Sequence, residues 1–122
     1  MILVDTSVWI DHFRGMGRAS ELAPRLVAGD VLVHPWVLGE LALGRLGSRR
    51  SAILSDLRLL PQAPLVSEGE VMDLIGEEKL WNQGIGWVDV QFLGSSRLAQ
   101  AAIWTFDRDL SRAAEMLGLK VI

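Results

Sequence analysis

Met1-Ile2-Leu3-Val4-Asp5-Thr6-Ser7-Val8-Trp9-Ile10 is the stretch whose reading decides the fold. Ile2 to Val4 is a short apolar, β-favouring run, and it stops at three residues that commonly start helices. The apolar positions Trp9, Ile10 and Phe13 predict a helix from about Ser7 to the Gly15-Met16-Gly17 break. The chain therefore opens on a buried strand that passes directly into a helix, with an aspartate at the junction.

The same alternation continues along the sequence. Ser20 to Ala28 predicts a second helix closed by Gly29, and Val31 to Val33 a second buried strand. Pro35 opens a helix from about Trp36 to Leu46, and Ser48 to Leu57 predicts another. Leu59 to Val66 carries Pro61 and Pro64, which demote it to an irregular or edge strand. Ser67 is a cap for a helix expected to reach Asn82, and Gly84-Ile85-Gly86 is a turn. A helix follows from Trp87 or Asp89 to Ala99, then a strand from Ala101 to Thr105. Asp107 to Leu117 is a final helix closed by Gly118, and Leu119 to Ile122 a last short strand. Strands alternating with helices imply an α/β fold of three layers, α/β/α, around a central mainly parallel sheet.

The length of 122 residues suits one domain, 1–122, with a single hydrophobic core, and half of the residues are hydrophobic. The apolar opening is too short for a signal peptide or membrane span, so a cytoplasmic protein is expected. With no cysteine, disulfides and thiolate chemistry are excluded, and the two histidines are too few for a histidine-rich zinc site. Any metal must rely mainly on oxygen ligands. The formal net charge of −3 is not that of a typical nucleic-acid binder. Clustered site acids would bias that sum, and ten of the twelve basic residues are Arg, the better bidentate phosphate ligand.

Four acids stand where the pattern around them is apolar or where a strand ends: Asp5, Glu40, Asp89 and Asp107. Asp5, Asp89, Asp107 and the neighbouring Asp109 can each be read as helix caps or first-turn acids, which the helix dipole favours. Glu40 resists that reading. It lies in the second turn of a nearly all-apolar helix, which predicts burial, and no Lys or Arg lies three or four residues away. An unpaired buried carboxylate there would cost several kcal/mol. Ligands of open parallel sheets bind beyond the carboxyl ends of the strands, where Asp5 and Asp107 fall, and a right-handed crossover brings the Glu40 helix alongside. Carboxylates gathered in this way repel one another unless a divalent cation compensates, and oxygen ligands suit Mg²⁺ or Mn²⁺.

Leu3 to Ile10, His34-Pro35-Trp36-Val37-Leu38-Gly39-Glu40-Leu41, Gly86-Trp87-Val88-Asp89 and Trp104-Thr105-Phe106-Asp107-Arg108-Asp109-Leu110 together resemble the PIN-domain family. The likeness is closest to the VapC-like toxins of bacterial toxin–antitoxin pairs. Four such segments, in the family's order and spacing, span essentially the whole chain. The resemblance implies a PIN-like fold and a metal-dependent endoribonuclease that leaves 5′-phosphate and 3′-hydroxyl ends. It makes Asp5, Glu40, Asp89 and Asp107 the acidic site, with Thr6 and Thr105 as supporting hydroxyls and Asp109 as a further candidate. Asp5, Asp89 and Asp107 are implied as metal ligands, and Glu40 as a ligand through water or a group that orients the nucleophile. It also implies a homodimer, a cognate antitoxin that covers an apolar groove, and operator DNA bound only through that antitoxin.

Arg14, Arg18, Lys79, Arg97 and Arg108 are candidates for an RNA path or simply a solvated surface. Trp9, Trp36, Trp81, Trp87 and Trp104 sit among aliphatics and read mostly as core or interface, and His12 and His34 as structural. Two other functions are weighed. A metal-dependent phosphatase would use a strand-end aspartate as nucleophile, but it usually carries a second aspartate where this chain has Ser7. A non-catalytic module would use the acids only to bind metal structurally or to cap helices.

Overall fold

In the computed structural model, which describes residues 1–122, three parallel strands lie in the order β2-β1-β3. They are β1 (Ile2–Val4), β2 (Val31–Leu32) and β3 (Ala102–Trp104). Ile2 pairs with Val31 and with Ala102, and Val4 with Trp104, so β1 is the central strand. All three of its side chains are buried, which is why an unbroken apolar run was needed there. Parallel neighbours require crossover connections, and the helices supply them.

The helices are α1 (Thr6–Phe13), α2 (Leu22–Val27), α3 (Pro35–Leu43), α4 (Arg50–Leu59), α5 (Glu68–Glu78), α6 (Trp87–Ala99) and α7 (Arg108–Met116). Short 3-10 turns at Gly17–Glu21 and Gly47–Arg49 lead into α2 and α4. The three-layer α/β architecture expected from the alternation is present. α1 packs on α3, α3 on α4, and α5 on α6.

Several boundaries differ from expectation. The strands expected at the two sheet edges shrink to single parallel bridges, Val33 with Gln62 and Ile103 with Val121. Pro61 and Pro64 leave too few N–H donors for the first to lengthen. α5 stops at Glu78, not Asn82, because Lys79 turns left-handed (φ 55) and Leu80 N–H closes back on Ile75 O at 3.0 Å. Leu80 is buried, so hydrophobic burial of the residue after the turn ends the helix early. α3 likewise stops at Leu43, with extended backbone at Gly44.

A cluster of 22 buried residues, with Trp9, Trp104, Phe92 and Leu3 among its largest members, forms the main core. The buried indole N–H groups of Trp9 and Trp104 have no acceptor. A smaller cluster of Val71, Leu74, Leu80 and Val90 joins α5 to α6. No helix is long and apolar enough to cross a membrane.

A buried polar chain fixes α3 against α6. His34 is fully buried at the N-terminus of α3, where Nδ1 accepts the Trp36 N–H at 3.0 Å. That bond places the ring proton on Nε2, which meets Ser95 Oγ at 2.9 Å. Ser95 donates to Gln91 Oε1 at 3.2 Å, and Gln91 bonds both Val66 N–H and Val66 O. Burial lowers the His34 pKa from 6.5 to about 4, against a smaller upward pull from hydrogen bonding to Gln91. The imidazole is therefore neutral across the physiological range, a structural part rather than an acid or base.

Candidate active site

β1 and β3 end side by side, since Asp5 N–H donates to Trp104 O at 2.9 Å. Asp5 occupies the N-cap position of α1 but makes no capping bond. Its Oδ2 instead accepts two hydroxyls, Thr105 Oγ1 at 2.7 Å and Ser7 Oγ at 2.9 Å. Thr105 Oγ1 also accepts Asp107 N–H at 3.0 Å, and Ser7 Oγ accepts Phe106 N–H at 3.0 Å. The two hydroxyls thus tie the end of β1 to the loop after β3 and orient the Asp5 carboxylate.

From the sequence alone Ser7 is one of three possible caps after β1. Its place two residues after a strand-end aspartate was the available signal, but the bond to Phe106 N–H comes from a segment 99 residues away. Thr105→Val is nearly isosteric and removes the bridge between Asp5 and Asp107. It is expected to lower stability in urea denaturation by about 1–2 kcal/mol, because the half-buried Asp5 carboxylate and the Asp107 N–H each lose a hydrogen-bond partner.

Glu40 differs from expectation in one respect: it is exposed. α3 fully buries only Val37 and Leu41; Pro35, Trp36, Leu38 and Ala42 are half-buried, and Leu43, at 91% exposure, faces outward. Its apolar composition reflects an uncovered face rather than complete burial. Thr6 Oγ1 at the start of α1 donates to Glu40 Oε1 at 2.8 Å, which carries Glu40 to the side of Asp5.

Asp89 lies in the first turn of α6 and accepts Gly86 N–H on Oδ2 at 2.9 Å. Its pKa is raised, first by burial and then by the negative charges of Asp5 and Asp107, while the Gly86 hydrogen bond pulls the other way. Those repulsions place Asp89 in the same electrostatic neighbourhood as the two strand-end acids. Asp107 caps α7, its Oδ1 accepting the N–H groups of Asp109 and Leu110 at 2.9 and 3.1 Å. Capping and membership of the acidic group are compatible, since the cap uses one oxygen. Asp109 is turned toward Arg112 at 2.7 Å, and Arg112 also reaches Gln83 O at 3.2 Å. Gly84, at φ +76, lies so near that a Cβ there would fall 2.5 Å from Asp109 Oδ2. Asp109 therefore holds the turn before α6 against α7.

A common design runs through the four acids. Each commits one oxygen to a positioning hydrogen bond: Asp5 Oδ2, Glu40 Oε1, Asp89 Oδ2 and Asp107 Oδ1. The other oxygen of each has no partner in the protein, and none of the four pairs with Lys, Arg or His. As the side chains stand, no three His, Asp or Glu groups converge closely enough to hold an ion between them. The chemistry of the donors fits a hard divalent cation: oxygen only, mutually repelling and short of countercharge.

Helices packed on a parallel sheet, with Asp5 and Asp107 following the ends of β1 and β3, define an α/β protein of the kind whose ligands bind beyond the carboxyl ends of the strands. The PIN domain profile matches residues 2–116, and the chain belongs to the PIN domain family. It is 44% identical over 120 residues to Ribonuclease VapC32 of Mycobacterium tuberculosis, covering 98% of this chain and 94% of that protein. Among solved structures, FitAcB from Neisseria gonorrhoeae superposes with a TM-score of 0.71 at 19% identity, covering 100% of this chain and 96% of that one. PAE2754 from Pyrobaculum aerophilum does so with a TM-score of 0.64 at 16% identity, over 95% and 90% of the two chains. These structural likenesses establish the shared fold.

Proposed function

We propose that the chain is a Mg²⁺- or Mn²⁺-dependent endoribonuclease and the toxin of a toxin–antitoxin pair, acting in the cytoplasm. The observation that carries this reading is the set of four oriented acids, each with one free oxygen and none with a cationic partner. The 44% identity to a VapC ribonuclease over nearly the whole chain supports the choice of RNA. A capping-only role leaves Asp5 and Glu40 unexplained, because Asp5 makes no cap bond and Glu40 lies inside α3.

Asp5, Asp89 and Asp107 are the residues that would hold the ion, with Glu40 beside them. A bound divalent cation there would supply the missing positive charge, polarise the scissile phosphate and lower the pKa of a water. Thr105 and Ser7 hold Asp5 in place. Thr6 fixes Glu40 so that its free oxygen orients the attacking water or takes its proton. As the water oxygen bonds to phosphorus the P–O3′ bond breaks, the 3′-oxygen takes up a proton from solvent, and 5′-phosphate and 3′-hydroxyl ends remain. Asp109 acts indirectly, keeping the segment before Asp89 against α7 through Arg112 and Gly84.

The outward apolar residues Val27 (90% exposed), Leu43 (91%) and Leu59 (84%) support association with a second copy and with an antitoxin. Operator DNA would be reached through the antitoxin, not through this acidic surface. The test is cleavage of single-stranded RNA by the purified protein with Mg²⁺, with Mn²⁺ and with excess EDTA. Cleavage should appear with either metal and fall to background with EDTA; equal cleavage in EDTA would defeat the metal-dependent reading.

A further inference from the structure

We propose that Arg14, Arg45 and Arg49 form a subsite for the phosphates of single-stranded RNA beside the bond to be cut, in the cavity that Glu40 shares. The proposal rests on the ribonuclease reading and adds the route by which substrate reaches the acids. The cavity, of about 280 Å³, lies between α1, the end of α3 and the start of α4. Arg14, Arg45, Arg49 and Glu40 all line it. Glu40, which lines the cavity, is bonded to Thr6, the residue after Asp5, and is the member of the candidate site that the cavity shares.

The state of the arginines singles this place out. Arg18, Arg25, Arg97 and Arg112 are paired with carboxylates, and Arg50 is bonded to Ala42 O. The other five have no partner, and three of those five converge on this one cavity. Of Arg14, Arg18, Lys79, Arg97 and Arg108, Arg14 alone lines this cavity; Arg18 lies 4.0 Å from Glu21, Arg97 is bonded to Glu78, Lys79 follows α5 and Arg108 starts α7. Three free guanidinium groups against a single carboxylate leave a locally cationic wall on a chain of net charge −3.

Guanidinium groups grip phosphate through paired hydrogen bonds, so a polyanion is the complementary occupant. The cavity floor is apolar, with Ile10, Phe13, Leu46 and Ile53 in its lining. That floor can take a base only when the base is unstacked and unpaired, which selects a single strand over an A-form duplex.

The experiment measures binding of a short fluorescein-labelled single-stranded RNA of mixed sequence, in EDTA, by anisotropy across a series of KCl concentrations. Each of Arg14→Gln, Arg45→Gln and Arg49→Gln should reduce the slope of log affinity against log salt by about 0.7, and the triple variant by about 2. With Mg²⁺, the triple variant should raise KM for long RNA at least about tenfold while kcat stays within about twofold, the pattern of lost uniform binding. Arg58→Gln, another partnerless arginine away from the cavity, should change neither. An unchanged salt slope and KM in the triple variant, while wild-type protein cuts RNA, overturns the subsite and leaves the ribonuclease reading standing. Failure of wild-type protein to bind or cut any RNA removes both. Poly-glutamate that binds more tightly than the RNA, and only with the three arginines present, would assign the cavity to an acidic protein ligand and overturn the proposal.

Discussion

Asp5→Asn is expected to reduce metal-dependent RNA cleavage at least about a hundredfold while leaving the fold intact. The amide oxygen can still accept the hydroxyls of Thr105 and Ser7, so the loop after β3 keeps its anchor and only the charge is lost. Asp89→Asn should have an effect of the same order on cleavage and should in addition stabilise the metal-free fold. The Asp89 carboxylate is partly desolvated and faces the charges of Asp5 and Asp107, so at neutral pH its ionised form is held at a cost. Removing that charge should raise the melting temperature of the metal-free protein. Adding Mg²⁺ should then stabilise wild type more than the variant, since a ligand stabilises in proportion to its affinity for the folded state. Circular dichroism and thermal melts with and without Mg²⁺, alongside RNA cleavage, read all of this. Retained activity in both variants would sink the acidic-site assignment.

Acid sensitivity should be traceable to His34. Its folded pKa of about 4 lies below the unfolded value of 6.5. Above pH 6.5 neither state is protonated there and the difference costs nothing. Between pH 6.5 and 4 the unfolded chain takes up a proton that the folded one refuses, so stability falls by up to about 3 kcal/mol. Protonation of Nδ1 would also set an N–H against the Trp36 N–H and undo the cap of α3. The comparison is urea denaturation of wild type and His34→Asn from pH 7.5 to pH 4. Asparagine retains a capping oxygen but does not titrate. The variant is expected to be less stable at pH 7.5, having lost the link to Ser95, and its stability curve should be flatter below pH 6.5 by close to one proton. Parallel curves would show that carboxylates alone govern the acid limb.

The strand-end acids were legible from local pattern. Ile2 to Val4 and Ala101 to Thr105 read as strands, and Asp5 and Asp107 follow from their ends. Glu40 was noticed for a reason that the fold corrects: it is not a buried carboxylate in a buried helix but an exposed one on a helix whose outer face is uncovered. The hydroxyl lattice was only partly visible, since Thr6 and Thr105 came from the resemblance and Ser7 passed for a cap. The chain from His34 through Ser95 to Gln91 has no local signature, because His34 lies 61 residues from Ser95. Nor did spacing single out Arg14, Arg45 and Arg49, which meet only when α1 packs on α3.

By itself the sequence determined the alternation of strands and helices, the absence of thiol chemistry, and the four candidate acids, of which only Glu40 has no reading as a cap or first-turn residue. Those follow from short-range causes: side-chain periodicity, caps, and glycine or proline breaks. Tertiary structure decided which oxygen of each acid is spent, which arginines remain free, and that the Asp5 carboxylate accepts the hydroxyls of Thr105 and Ser7 instead of the backbone N–H groups of α1. Such choices depend on hydrogen bonds and charges acting between segments tens of residues apart. Only the parallel packing of β1 against β3 brings those segments within reach.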